Sequence, residues 1–185
     1  MVLPVTTLEH LFGARAAAIE PDVIAPTLAA ELRRSLAGGL SRYALLDRGS
    51  YEVTTLPVKG TGDLLSIAFD LAVRVGAAQT GRTLRVDEAR LLRLVPGDYL
   101  LAHHDRLHDD APVEVTLDLS PAPVPGAEIH YRRRGQVFFR VPCAPGSVVV
   151  VERGPTVTCN HAYVSRLHPG AEVVRLVTLL RDVEK

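Results

Sequence analysis

Three histidines and three aspartates fall within the eight residues His103-His104-Asp105-Arg106-Leu107-His108-Asp109-Asp110. His103 and Asp105 are two positions apart. On a β-strand that spacing puts both side chains on one face, so an imidazole and a carboxylate converge. Two histidines and one carboxylate, with three coordination positions left open, are the donor set of non-haem Fe(II) oxygenases. A His-x-Asp triplet by itself is common, and a polar cluster that follows a strand is ordinarily a solvated loop. The surroundings add weight. An apolar stretch leads into His103, and a second histidine, His161, lies in Asn160-His161-Ala162-Tyr163-Val164. Arg175 interrupts the apolar run from Val173 to Leu180. Buried there, an arginine needs an anion; on an edge strand it faces water, and the sequence permits both. His168 competes with His161 as a ligand, but it precedes Pro169 in a turn pattern. His104 alternates away from His103, and His108, Asp109 and Asp110 read as an acidic loop in water. Cys159 reads as a small buried hydrophobe.

The elements that must position these residues fall into two patterns. Thr7 is placed to cap a helix from about Leu8 to Ile19. A second helix is expected from Thr27 to Leu36, ended by Gly38-Gly39. Short strands follow at Tyr43–Leu46 and Tyr51–Leu56. A third helix is expected over Asp63–Ala78, with Leu64, Ile67, Ala68, Leu71 and Val75 at helical spacing. Beyond Thr83 the pattern becomes alternating runs cut by Pro and Gly: Ala89–Val95, Tyr99–His104, Val113–Leu119, Ala127–Arg132, Gln136–Val141, Ser147–Val151, Asn160–Ser165 and Val173–Arg181. Some eight such strands predict a sandwich, barrel or jelly roll. Arg132-Arg133-Arg134 before Gly135 reads as a solvated hairpin end. Residues 1–185 are read as one domain, with 1–82 as helical support and first strands and 83–182 as the barrel core.

In order, these pieces resemble the Fe(II)- and 2-oxoglutarate-dependent dioxygenases, most closely the prolyl-4-hydroxylase-like group. Leu94-Val95-Pro96-Gly97-Asp98-Tyr99-Leu100-Leu101-Ala102-His103-His104-Asp105 is similar to that family's approach to its H-x-D. Val115–Ser120 is similar to its next core strand, Gly126-Ala127-Glu128-Ile129 to its Gly-Gly-Glu turn, and Ala144–Val150 to the strand before the distal histidine. His161, Val164, Gly170 and Arg175 resemble the distal-histidine segment. The resemblance spans about Ala89 to Arg181. It implies a mainly β chain with flanking N-terminal helices (α+β) around a double-stranded β-helix, a cupin-like jelly-roll barrel. It implies His103, Asp105 and His161 as Fe(II) ligands and Arg175 as the partner of the far carboxylate of 2-oxoglutarate, a role suited to a guanidinium fork. The implied reaction consumes dioxygen, releases succinate and CO2, and hydroxylates an unactivated C–H bond. Tyr99, sharing strand parity with His103, is expected to face the barrel interior as a cosubstrate contact or a core residue. The chain departs from the prolyl group at Leu94 and Leu100, where tyrosines are usual, and at Arg175, where lysine is common. The prolyl substrate is thereby put in question, not the chemistry.

Composition narrows the rest. Hydrophobic residues are 47% and charged residues 23%, which suffices for an ordinary core. Lys plus Arg and Asp plus Glu are 21 each, so a dominant nucleic-acid or anionic-membrane footprint is not expected. Only two cysteines occur, Cys143 and Cys159, and the N-terminus lacks a signal-peptide pattern, so a cytoplasmic protein with reduced thiols is expected. The substrate expected is a small molecule, an amino acid or a peptidyl residue. Two other readings compete. Helical metal phosphohydrolases also use His-Asp doublets, but Pro96-Gly97 and the alternating Val113–Leu119 argue against helices around this one. A non-catalytic or zinc-binding jelly-roll module is the remaining alternative, although a structural zinc site would need a fourth ligand that the sequence does not identify.

Overall fold

The structure, a computed structural model, describes residues 17–45, 47–60, 62–103, 111–153 and 157–183, with the His103 side chain outside that set. Among these residues eleven strands and two α-helices occur. In chain order they are β1 (Ala17–Glu20), α1 (Pro26–Leu36), β2 (Ser41–Leu45), β3 (Gly49–Leu56), α2 (Asp63–Thr80), β4 (Leu84–Leu94), β5 (Tyr99–His103), β6 (Val113–Asp118), β7 (Ile129–Arg133), β8 (Gln136–Val141), β9 (Val148–Glu152), β10 (Val157–His161) and β11 (Val173–Asp182). The strands form one antiparallel sheet in the order β1-β9-β6-β11-β4-β3-β5-β10-β7-β8, with β2 added to β3.

Helix α1 starts on Pro26, whose missing N–H costs nothing in a first turn. Helix α2 ends on Gly81 at φ 69°, a left-handed position in which its N–H caps the Ala77 carbonyl. The buried stripe of α2 is Leu65, Ala68, Phe69, Leu71, Ala72 and Gly76, while Ile67 is exposed. The face is thus turned by about one residue from the one expected. Both helices cover one side of the sheet, where they meet Val113, Val115, Leu117, Val148, Val150, Leu176 and Leu180.

The other side of the sheet curls onto itself. Ala17, Val149 and Val151, from one end of the strand order, share a core with Ile129, Tyr131, Phe139, Val141, Val157 and Cys159 from the other end. A third cluster holds Leu92, Leu94, Val173 and Val177. Strand β11 is buried on both faces: Val174, Leu176 and Leu180 meet the helices, while Val173 and Val177 face the barrel. The jelly-roll expectation holds.

Several boundaries differ from the sequence reading, among them the start of β4 at Leu84 in place of Ala89. The helix expected over Leu8–Ile19 is contradicted at its end, where Ala17–Glu20 form a strand paired with β9 in the register Ala17↔Val151; the remainder lies outside the described residues. Pairing with a four-valine strand overrides the local helical preference of an alanine run. Strand β10 spans Val157–His161 instead of starting at Asn160, so His161 ends it.

Strand β5 is held by close backbone approach. A Cβ on Gly49 would lie 2.5 Å from the Tyr99 carbonyl oxygen and 3.0 Å from the Leu100 Cα. Gly49→Ala therefore has to push β3 from β5, and we expect a loss of about 1–3 kcal/mol, read as a lower chemical-denaturation midpoint. An unchanged midpoint would show that this approach does not constrain the strand.

Candidate functional site

Position along the barrel axis follows from strand register. His103 ends β5 and is the Cα partner of Cys159; His161 is the partner of Leu100, with a register shift between the two pairs. On its other side β10 pairs Cys159 with Tyr131 and His161 with Ile129. Cys159 is therefore level with His103, and His161 lies two residues deeper on the same inner face.

The approach to β5 is fixed by Asp98. Its buried carboxylate accepts from Val95 N at 3.0 Å, from the Ser50 hydroxyl at 3.1 Å and from both terminal nitrogens of Arg42, one at 2.8 Å. These bonds tie the Pro96-Gly97 turn to the β2–β3 hairpin. The hydrogen bond to Asp98 raises the Arg42 pKa above its ordinary value.

Arg175 is buried inside the barrel, 1% exposed. It is the partner of Leu92 on β4 and of Asp118 on β6, so it sits mid-sheet, and the edge-strand reading is excluded. One terminal nitrogen lies 2.8 Å from His161 Nδ1, and the other donates to the Ala127 carbonyl at 2.7 Å. Burial pulls its pKa down, opposed chiefly by the charge of Asp118. Asp118 gives Arg175 field but no hydrogen bond in the described set. Its two oxygens accept from Ser120 N at 2.9 Å and Ala144 N at 2.8 Å. A guanidinium has no acceptor, so Nδ1 of His161 must be the acceptor, and the imidazole is neutral with its proton on Nε2.

Nearer the His103 level lies a second buried charge group. Tyr131 donates to Glu114 Oε1 at 2.6 Å, and Arg153 pairs with Glu114 Oε2 and also donates to the Val157 carbonyl at 3.4 Å. Burial, then the charge of Glu114, holds the Tyr131 phenol well above its usual range, so it stays protonated as the donor. Glu114, Thr116 and Asp118 alternate along one face of β6, between the charge group and Arg175. The Thr116 hydroxyl is buried and has no hydrogen-bond partner among the described residues.

The comparisons with known proteins bear on this arrangement. No family model matches the chain, and no curated protein matches its sequence. Solved structures do match. A prolyl-4-hydroxylase from Pseudomonas putida superposes with a TM-score of 0.68 at 17% identity, covering 97% of this chain and 99% of that one. The collagen prolyl hydroxylase of Paramecium bursaria Chlorella virus-1, in its 2OG complex, gives 0.65 at 13% identity, covering 91% and 97%. The non-haem α-ketoglutarate-dependent epimerase SnoN from nogalamycin biosynthesis gives 0.70 at 13% identity, covering 96% and 83%. The chain has the double-stranded β-helix fold of the 2-oxoglutarate oxygenases.

Within this oxygenase fold, the expected site residues stand as follows. The backbone of His103 ends a strand at the barrel rim, and Asp105 lies outside the described residues. His161 and Arg175 are both inside the barrel and touch each other. Among the described residues no three His, Cys, Asp or Glu side chains are grouped closely enough to hold a metal. Tyr99 departs from expectation. Its neighbour Leu100 shares the face of its partner His161, so strand alternation turns half-buried Tyr99 to the opposite face. The three steps from Leu100 to His103 face only two from His161 to Cys159, so β5 holds an extra residue that undoes the parity argument. Glu114, Tyr131, Arg153 and Thr116 were not found from sequence. A signal for the first was present: a glutamate inside the apolar alternation of Val113–Leu119, at a position that must face the core.

Removing one member of a buried ion pair strands the other. Arg153→Met is expected to cost about 3–5 kcal/mol in urea unfolding, and adding Glu114→Gln to recover much of it. A loss in the double variant equal to the sum of the losses in Arg153→Met and Glu114→Gln would show that the pair is not coupled.

Proposed function

We propose that this chain is a 2-oxoglutarate- and Fe(II)-dependent oxygenase acting on a C–H bond of a small molecule, an amino acid or a peptidyl residue. One observation carries the reading: a fully buried guanidinium, Arg175, faces the interior of a barrel of this fold with hydrogen bonds only to neutral acceptors among the described residues. A buried cation without a carboxylate bond suits an anionic ligand.

The donor set suits iron. Asp105 supplies a hard oxygen, and His103 and His161 supply imidazoles. The His161 ring is neutral, as a metal ligand must be, and holding iron at Nε2 would need its proton on Nδ1 in place of the Arg175 contact. His103, Asp105 and His161 would hold Fe(II), and Arg175 the far carboxylate of the cosubstrate. When bound, the iron with 2-oxoglutarate and dioxygen supplies the oxidising chemistry, with succinate and CO2 as the products of the cosubstrate.

The chain's own residues do the rest. The core around Cys159, Tyr131 and Phe139 walls the interior from water. Arg175 orients the cosubstrate by a two-point fork. His161 holds its proton on Nε2 while Nδ1 accepts from Arg175. A neutral ring holding iron through Nε2 would carry its proton on Nδ1, so the contact would be given up and the guanidinium freed for the cosubstrate carboxylate. The neutral overall charge agrees with a substrate other than nucleic acid, and the chain's action in the cytoplasm belongs to the same proposal.

Anaerobic titration of metal-free protein with Fe(II) and 2-oxoglutarate tests the reading. We expect a weak visible absorption band that is lost in His103→Ala and weakened at least tenfold in apparent cosubstrate affinity in Arg175→Leu, the scale of a lost charged hydrogen-bond pair. Folded, iron-loaded protein without such a band would remove the oxygenase reading in favour of a jelly-roll binding module.

A further inference from the structure

Arg132-Arg133-Arg134-Gly135 turns the chain from β7 into β8 and has no task in the iron site proposed above. Arg133 is the Cα partner of Gln136, so Arg134 and Gly135 alone make the turn. Both have positive φ, 50° at Arg134 and 80° at Gly135. A two-residue turn of this type favours Asn-Gly, because most side chains are strained at positive φ and asparagine tolerates it. Arginine is the less stable choice there, so stability does not explain it.

Register puts the turn at the His103 end of the barrel. Cys159 is level with His103, and Arg133 is the partner of Val157, two residues farther toward that end. With residues about 3.4 Å apart along a strand and strands about 4.8 Å apart, the backbones of Arg133 and His103 are separated by roughly 12 Å. Arg133 shares the inward parity of Tyr131. Arg132 alternates outward and donates to Asn160 Oδ1 at 3.0 Å and to the Gly135 carbonyl at 3.3 Å, both uncharged. Arg134, at the tip, is exposed. Among the described carboxylates at this end, Glu114 already holds Arg153, and Glu152 and Asp182 already hold Arg82. A chain with 21 cationic and 21 anionic side chains thus concentrates positive charge beside the proposed iron site.

We propose that the substrate is a peptide with an acidic stretch, and that Arg133 and Arg134 hold that stretch while a neighbouring residue enters the barrel. The inference rests on the oxygenase reading and deepens it by naming the substrate class. Guanidinium groups set on the inner face, the outer face and the tip of one hairpin fit a row of carboxylates on an extended chain, not one compact anion. About 12 Å is three or four residues of extended peptide, which places the acidic residues at that spacing from the oxidised one.

Calorimetry on the full chain loaded with Mn(II) and 2-oxoglutarate compares three probes: an acetylated hexaglutamate peptide, its hexaglutamine counterpart and inorganic phosphate. The expected result is hexaglutamate bound at least about tenfold more tightly than either of the others, with an affinity that falls as salt rises. The double variant Arg133→Gln/Arg134→Asn loses about tenfold for hexaglutamate and keeps its 2-oxoglutarate affinity. Arg133→Lys/Arg134→Lys stays within about threefold of wild type, because an exposed lysine supplies the same charge. Arg134→Asn alone raises the thermal midpoint while weakening hexaglutamate, opposite signs that a structural role would not give. Hexaglutamate held equally by the wild type and the Gln/Asn variant, or no more tightly than hexaglutamine, overturns the inference alone. Phosphate bound as tightly as hexaglutamate overturns the peptide assignment. Wild-type protein that holds Mn(II) and hexaglutamate but not 2-oxoglutarate overturns the oxygenase reading and leaves the acidic-peptide site standing.

Discussion

A guanidinium sealed inside a β-barrel is the constraint on which the rest of this structure depends. Arg175 cannot shed its charge at any ordinary pH, and it lies where water does not reach. The fold meets that cost with what it has nearby: the ring nitrogen of His161, the carbonyl of Ala127 and the field of Asp118 in the facing strand. None of these is a carboxylate hydrogen bond. The other buried arginine, Arg153, is treated differently and receives Glu114 directly. The contrast between the two separates a cation closed by a carboxylate from one whose described hydrogen bonds go to neutral acceptors.

The sheet makes both possible by giving its two faces different work. One face carries valine and leucine against α1 and α2 and supplies the apolar burial that holds the chain together. The opposite face can then carry Glu114, Thr116 and Asp118 on one strand and Arg175 on the next. A polar interior of this kind is tolerable because the apolar clusters around Leu92 and Val177, and around Tyr131 and Phe139, flank it. The β2–β3 hairpin and Asp98 fix the approach to His103, so the rim of the barrel is set by ion pairs and the floor by burial.

Much of this was legible in the sequence. Alternating runs cut by Pro and Gly gave nearly all the strands beyond Thr83, and the apolar stripe gave α2. An arginine in an otherwise apolar run marked the floor of the barrel. What stayed hidden depended on pairing. The parity argument for Tyr99 failed because β5 holds an extra residue between Leu100 and His103 where it pairs with β10, which no single strand reveals. The strand at Ala17 was hidden because only its partner β9 makes an alanine run extended. The link between Glu114, Tyr131 and Arg153 joins three strands far apart in sequence, so spacing alone could not show it. Thr116 looks like any threonine in a strand until its surroundings are known to offer no partner.

The contact between Arg175 and His161 is the central claim, and the protonation of the His161 ring reads it directly. Long-range 1H–15N correlation of the imidazole in metal-free protein distinguishes the two neutral tautomers. The account predicts an unprotonated Nδ1 and a protonated Nε2 at neutral pH, with that preference lost in Arg175→Leu. A protonated Nδ1 in the wild-type protein, or a ring indifferent to the loss of Arg175, would contradict it.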